Sequence, residues 1–548
     1  MDQTSNRWLL FLIGLAVLVN LSGIFNPLME PDACVYAIVS KNMVLRNDWA
    51  GLYFNGADWL DKPHFPFWIT AAFFRIFGIH TWSYKLPAIL FVFLAARYTW
   101  LLAKQLYNER IALWAVLILL TAEHIILTNN DVRAEPYLTA LIIAAIYHFR
   151  NALGKERVFF HLVIASFFTA CAFMTKGLFT LIPIAGAIAG ELIIKQKWKL
   201  FISWKWLVAL VLIALFITPE LYCLWLQFDS HPEKTIFGRT GVSGIRFFLW
   251  DGQFGRFTNT GPYKGEGSPI FFLHTLLWAF LPWSILMYGS LVNKIGKLAD
   301  PTLREKEEWF NFYAAIFTLF VFSISSFQLP HYTNIIFPML AILVAKYMED
   351  LKGRAEVIFK VIQNSIAIIL FLAIILLQVF YSPHLPSLFL IFLIAFFIVL
   401  LIKAGSWFSV KGYRLAIFRS VLAIMIFNLY LNWFFYPDLL KYQSGSEAAF
   451  YINKNFPGSP VIKPSIYSPA FEFYFKGEVQ KNVKDSIAPG MVFLLTEQEL
   501  VGLSAITRKL DSYKEFPEFH VTTLNMKFIN KKTRHLELKK YYLVRATH

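Results

Sequence analysis

The stretch GADWLDKPHFPFWITAAFFRIFG, residues 56–78, decides how this chain is read. It opens with Asp58, Asp61, Lys62 and His64, then runs into an apolar, helix-like segment too short to cross a bilayer. Each ion near hydrocarbon costs roughly 2.5–3.5 kcal/mol on insertion scales. Ions crowded beside an apolar helix therefore mark a water–lipid boundary where charge has a task.

The rest of the chain supplies the hydrocarbon context. Of 548 residues, 57% are hydrophobic and 56 are Phe, and the mean hydropathy is +0.53, outside the range of soluble globular chains. Apolar runs of spanning length recur near 8–26, 83–103, 111–128, 134–149, 158–174, 177–194, 206–226, 270–289, 310–326, 332–348, 357–380, 385–402 and 415–434. About thirteen transmembrane helices are expected. The first, preceded by Arg7 and followed by no A-x-A-like cleavage site, reads as a retained anchor.

Loop charge orients the spans, because Lys and Arg stay on the cytoplasmic side. Alternate loops carry Lys104 and Arg110, then Arg150, Lys155 and Arg157, then Lys195, Lys197, Lys199 and Lys205, and the pattern continues to Lys403, Lys411 and Arg414. The other short loops hold only Arg133 and Lys176. The formal charge of +16 is therefore mostly a topology signal, and no nucleic-acid partner is read from it. An odd span count places the tail on the outer side. Three cysteines at positions 34, 171 and 223 offer neither a disulfide framework nor zinc-knuckle spacing.

Three segments are neither spans nor short loops. Residues 27–82 form a first outer loop with two interfacial helices, near 33–47 and 65–77; residues 227–269 form a second, long enough to suggest a function. Composition changes sharply after residue 436, where helix-like GSEAAFYINKNF alternates with strand-like MVFLLT and KYYLVRA. The expected organisation is an α-helical polytopic membrane domain over 1–436 and a small extracytoplasmic α/β domain over 437–548.

The outer face collects the ions. The first loop supplies Glu30, Asp32, Asp61 and Lys62; NNDVRAEP supplies Asp131, Arg133 and Glu135; MTKG supplies Lys176; GQFGRFTN supplies Arg256; QLPHY supplies His331 and Tyr332. Both signs of charge converging at helix tops describe a cavity for an amphiphilic anion, with cations on a phosphate and a carboxylate able to take a proton. Pro63 biases Lys62 toward extended backbone, and the apolar helix that follows would anchor the pair at a fixed height.

In this order, PDACVYAIVSKNM, WLDKPHFPFWITAAFFRIFG, NNDVRAEPYL, MTKGL, QFGRFTN and QLPHYTNIIFPMLAIL resemble the GT-C membrane glycosyltransferases, over roughly residues 8–350. The nearest resemblance is to the bacterial protein mannosyltransferase-like family that includes the aminoarabinose transferase of lipid A. It implies transfer of a sugar from a polyprenyl-phosphate carrier, undecaprenyl phosphate in a bacterial inner membrane, to a membrane-associated acceptor on the outer (periplasmic) face. Asp32 matches the acidic residue near the reacting sugar and Tyr36 the tyrosine one turn on. Asp61 and Lys62 match a Glu-Lys-Pro motif with Asp for Glu, Glu135 the acid of the second loop, Lys176 a Lys-Gly motif, Arg256 an Arg-Phe motif, and Tyr332 the Leu-Pro-x-Tyr motif close to the carrier phosphate. The second acid that often follows the first is Ala33 here, so either one carboxylate suffices or Glu30 or Asp61 takes its place.

The expected reaction is a single inverting displacement, with Asp32 or Glu135 as base if the acceptor is a hydroxyl and no base if it is a phosphate. Substrate contacts are expected from Tyr36, Asp61, Lys62, Asp131, Arg133, Lys176, Arg256, His331 and Tyr332. There is no D-x-D and no paired His spacing, so no metal ligand and no cofactor is assigned, although a divalent ion between Asp32 and Glu135 is compatible with the sequence. A lipid-linked sugar transporter or flippase is the alternative. It should show charged or broken midplane spans and two related halves, whereas these charges crowd one face.

Overall fold

The computed structural model describes residues 4–547 apart from 262–263, 384–386, 481–486, 488 and 507–509. Helices dominate residues 4–442, as backbone in lipid requires, because a helix satisfies its own N–H and C=O groups. In chain order the first are α1 (Thr4–Leu21), α2 (Asp32–Arg46), α3 (Phe65–Phe77), α4 (Thr81–Leu106), α5 (Glu109–Thr121), α6 (Glu123–Thr128), α7 (Glu135–Ala152), α8 (Val158–Lys176) and α9 (Leu181–Ile194). Among the described residues, five helical stretches are long and apolar enough to cross a membrane: Thr81–Leu106, Val158–Lys176, Trp198–Asp229, Arg354–Phe380 and Gly412–Tyr442. The span expected at 385–402 begins outside the described residues, and the helix there runs Ser387–Trp407.

Several of the other expected spans are interrupted, each for a visible reason. The run at 111–128 breaks at Ala122, which is extended; the freed Glu123 amide donates to the Leu281 carbonyl at 3.0 Å, and Trp283 Nε1 donates to Thr121 Oγ1 at 3.0 Å. The run at 270–289 breaks in the same place, between Phe271–Ala279 and Ser284–Leu298. The second break thus supplies the acceptor for an amide freed at the first, and this is how irregular segments persist at membrane depth.

At the centre lies α7, buried along nearly its whole length and packed against α4, α8 and α9. Its first turn presents Glu135. The neighbouring α8 stops at Lys176 because Gly177 takes a left-handed φ of +83°, which brings Lys176 beside Glu135.

Residues 27–82 contain α2 and α3 where the sequence places helices, and α2 is largely buried against α3. Between them a hairpin pairs β1 (Tyr53–Phe54) with β2 (Ala57–Asp58) around Asn55-Gly56, both with positive φ. Past residue 443, helices Ser444–Asn455 and Pro469–Tyr474 accompany a five-stranded sheet. With β3 (Val461–Ile462), β4 (Val479–Gln480), β5 (Val492–Thr496), β6 (Leu510–Glu518) and β7 (Lys539–Ala546), its order is β4-β3-β5-β7-β6: the first two pairings are parallel and the last two antiparallel. Leu494 and Leu543 share a register position and are buried in the core beneath the helix Ser444–Asn455.

Candidate active site

Three ion-paired groups meet where the 27–82 segment covers the first turn of α7 and the end of α8. Arg133 joins two carboxylates: Nη1 donates to Asp32 Oδ2 at 2.6 Å, while Nη2 lies 2.8 Å from Asp131 Oδ2. Asp61 is shared by Lys62, whose Nζ donates at 2.7 Å, and by Arg256. Glu135 is bonded by Lys176 and lies 3.8 Å from His331 Nε2. The Lys176 ammonium also sits 3.7 Å from the centre of the Tyr332 ring, a cation–π contact.

These groups line one cavity of about 520 Å³. Asp32, Tyr36, Asp61, Lys62, Arg133, Glu135, Lys176, Arg256, His331 and Tyr332 all face it, joined by Phe327 and Leu329. Asp131 does not line the cavity; it stands behind Arg133 and holds that side chain. Four cations (Lys62, Arg133, Lys176, Arg256) face three carboxylates (Asp32, Asp61, Glu135), an excess of one positive charge that suits an anion.

Exposure separates the two candidate bases. Asp32, in the first turn of α2, is 45% exposed, whereas Glu135 is 1% exposed. Glu135 Oε2 accepts no hydrogen bond from the described residues. Glu30 is not placed as a second acid beside Asp32, whereas Asp61 lines the same cavity. Glu30 points into the tail, where Ser468 Oγ and the Ala470 amide both donate to Oε1 at 2.6 Å, and Asp61 is held by its two cations.

Burial and neighbours set the charges in the loops. Burial pushes the Asp61 carboxyl up, but Lys62 and Arg256 outweigh it and hold it below the usual carboxylate range. Burial, aided by Arg256, lowers the Lys62 ammonium to about 8 against the pull of Asp61. Burial would also lower Arg133, yet Asp131 and Asp32 raise it further above its ordinary value. Arg133 is thus a permanent cation, while Lys62 can release its proton near neutrality.

A second cavity, about 680 Å³, adjoins the first. It shares Glu135, Lys176, Arg256, Phe327 and Tyr332 and is otherwise walled mainly by apolar side chains such as Leu138, Phe179, Phe257 and Phe322. An ionic chamber beside an apolar one fits a ligand with a charged head and a hydrocarbon tail.

Two features escaped the sequence reading. Gln253, three residues before Arg256 on the helix Gly252–Phe257, lines the apolar cavity. Glu220, in the apolar run ITPELYCL, is fully buried and bonds His64 twice: Oε2 accepts from the His64 amide at 3.0 Å, and Oε1 lies 3.0 Å from Nδ1. A carboxylate in a span is itself a signal that the surrounding hydropathy conceals. Among the described residues no three His, Cys, Asp or Glu side chains gather as a metal site, and Asp32 and Glu135 are each engaged by a cation.

The arrangement is a helical bundle with an ionic cavity under a helical loop, and it can be set beside known proteins. Residues 61–223 match the family model of the dolichyl-phosphate-mannose-protein mannosyltransferases. The chain is 27% identical over 336 residues to an undecaprenyl phosphate-α-4-amino-4-deoxy-L-arabinose arabinosyl transferase of Edwardsiella ictaluri, covering 60% of this chain and 56% of that one. It is 24% identical over 358 residues to one from Proteus mirabilis, covering 64% and 61%. The matches thus span less than two thirds of the length of these curated relatives. The crystal structure of ArnT from Cupriavidus metallidurans bound to undecaprenyl phosphate superposes with a TM-score of 0.75 at 16% identity, over 98% of both chains. The apo state of that protein gives 0.73 over 98% and 97%. The chain has the GT-C fold and is related in sequence to the aminoarabinose transferases.

Proposed function

We propose that the protein is an integral-membrane glycosyltransferase that moves a sugar from a polyprenyl-phosphate carrier to a membrane-associated acceptor on the outer face of a bacterial inner membrane. The observation that carries this reading is that an ionic and an apolar cavity lie side by side, sharing Lys176, Arg256 and Tyr332. The carrier phosphate sits among Lys62, Lys176 and Arg256, its hydrocarbon runs along the Phe179–Phe257–Phe322 wall, and the sugar faces Asp32. The relatives named for undecaprenyl phosphate-linked aminoarabinose point to undecaprenyl phosphate as carrier. Thirteen spans, an external site, and a membrane domain over 1–436 with an extracytoplasmic domain over 437–548 complete the reading, supported by the loop charges.

The chemistry follows from which groups are free to move a proton. An acceptor hydroxyl attacks the anomeric carbon from the face opposite the phosphate, so the C–O bond to phosphate breaks as the new one forms and configuration inverts. Asp32 is the more accessible base, and Arg133 holds it in place. Glu135, fixed by Lys176, keeps that ammonium aimed at the departing phosphate, whose growing charge Lys62 and Arg256 offset. Releasing the phosphate into a preformed cationic chamber lowers the barrier, because these groups need not reorganise as charge develops.

The test is to incubate the purified protein with a panel of undecaprenyl-phosphate sugars, aminoarabinose first, and an envelope lipid extract, and to measure free undecaprenyl phosphate and labelled lipid. Release coupled to acceptor labelling is expected. Sugar carrier crossing vesicle bilayers without bond cleavage would favour a transporter instead.

A further inference from the structure

The tail grips the loop that leads into Asp32. The Glu30 amide donates to Gln443 Oε1 at 2.9 Å while Gln443 Nε2 donates to the Leu28 carbonyl at 2.9 Å, so one buried amide side chain pairs with both edges of the backbone. The Leu28 amide donates to the Tyr474 hydroxyl at 2.8 Å. Glu30 Oε1 accepts from Ser468 and Ala470 at the start of the helix Pro469–Tyr474, and Lys41 on α2 donates at 2.9 Å to the carbonyls of Glu472 and Phe473 at its end. The upstream part of the loop is held differently, by Lys85 of α4, which donates to the Gly23 and Asn26 carbonyls at 3.1 and 2.8 Å. Residues 28–30 thus depend on the tail, and α2 begins two residues later.

We propose that the C-terminal segment is a brace for the reaction centre: Gln443, Ser468 and Tyr474 are positioning residues that fix the start of α2 and thereby the Asp32 carboxylate. This assigns the tail a task within the reaction itself and rests on the reading of Asp32 given above. A single amide serving two backbone groups in a buried place is hard to replace, since losing it strands both a donor and an acceptor. The phosphate cations Lys62, Lys176 and Arg256 are carried on other elements and make none of these contacts, although the Tyr474 hydroxyl also meets Thr81 Oγ1 at 3.0 Å.

A native reporter lies at the junction. Cys34, two residues after Asp32, is fully buried with its thiol 3.7 and 3.6 Å from the Leu28 and Met29 carbonyls, the same turn that Gln443 and Tyr474 hold. The experiment compares full-length Gln443→Leu, Ser468→Ala and the milder Tyr474→Phe with the wild type, by turnover of the accepted undecaprenyl-phosphate sugar, by affinity for undecaprenyl phosphate, and by maleimide labelling of Cys34 against buried Cys171. Turnover is expected to fall by about tenfold to a hundredfold, the scale of an ångström-sized misplacement, with phosphate affinity unchanged and Cys34 labelled faster while Cys171 is not. In an Asp32→Asn background the same variants should cost little more, because the group they position is already gone. Unchanged turnover with Cys34 still protected, or exposed Cys34 without loss of turnover, overturns the proposal. So do losses that add fully to Asp32→Asn or that take phosphate affinity with them, since these mark a merely structural contact. Full activity in Asp32→Asn alone instead removes the catalytic reading of Asp32, and Cys34 protection then decides by itself whether the tail holds the helix.

Discussion

His64 and Glu220 share one proton. His64 Nε2 lies 3.0 Å from the Ala50 carbonyl, which can only accept, so Nε2 carries a hydrogen; Nδ1 lies 3.0 Å from Glu220 Oε1. Either the imidazole is protonated on both nitrogens against a carboxylate, or the carboxyl keeps the proton and donates it to Nδ1. Both forms are neutral as a pair, which suits a place where both side chains are 0% exposed. The pair anchors the loop two residues beyond Lys62.

That shared proton sets a contrast between two substitutions. Glu220→Gln should be well tolerated, because the amide nitrogen can donate to Nδ1 of a neutral imidazole while the oxygen still accepts from the His64 amide. Glu220→Ala strands two buried groups and should cost about 1–3 kcal/mol for each. Thermal unfolding in detergent and undecaprenyl phosphate affinity, measured on both variants, check this; equal damage from Gln and Ala would show that the pair needs its charge.

Asp32→Asn keeps the volume of the side chain and removes its charge. Turnover should fall by about a hundredfold or more, the scale of positioned acid–base help, while carrier binding changes little. Near-normal turnover together with a loss in Glu135→Gln would move the base to the first turn of α7.

Lys62→Met and Arg256→Met should each weaken undecaprenyl phosphate binding even without a sugar. A lost charge-assisted hydrogen bond is worth on the order of 1.5–3 kcal/mol. Each change also leaves Asp61 with one cation in place of two. Lys62→Arg should rescue only in part, since a planar guanidinium does not replace a compact ammonium. Direct binding with the solubilised variants decides; intact affinity in both removes the phosphate role from this stretch.

The same ammonium predicts a pH profile. With Lys62 lowered to about 8, its charge is present below that value and lost as pH rises through it. The carrier phosphate itself gains its second charge near pH ~6. Affinity should therefore be highest between these limits and decline above about 8, with the midpoint moved upward where bound phosphate stabilises the ammonium. Lys62→Met should flatten the alkaline limb. An alkaline limb that persists unchanged in that variant assigns it to another group.

Topology can be tested against the buried native cysteines. Lys264→Cys and Phe450→Cys should react with an impermeant maleimide from outside intact spheroplasts, and Lys197→Cys only after lysis. Labelling of position 197 in intact cells would invert the orientation and move the site to the cytoplasm.

The helical class, the positions of α2 and α3 and the roster of charged residues were legible in the sequence, because hydropathy and the spacing of ions are local properties. The hairpin at Asn55-Gly56 carries an equally local two-residue signal. Pairing was not legible. That Arg133 bridges Asp32 and Asp131, that Asp61 is shared with an arginine 195 residues away, and that Glu30 turns from the cavity toward Ser468 are set by how helix tops converge. The breaks at Ala122 and at Phe280–Trp283 are likewise tertiary: neither segment alone can offer the other's freed backbone a partner. Sequence by itself determined which residues could not remain in lipid unpaired, since the cost of a bare charge there is a property of the side chain. Only the tertiary structure decided which partner each one met, because ion pairs and hydrogen bonds act over a few ångströms, a distance that chain order does not measure.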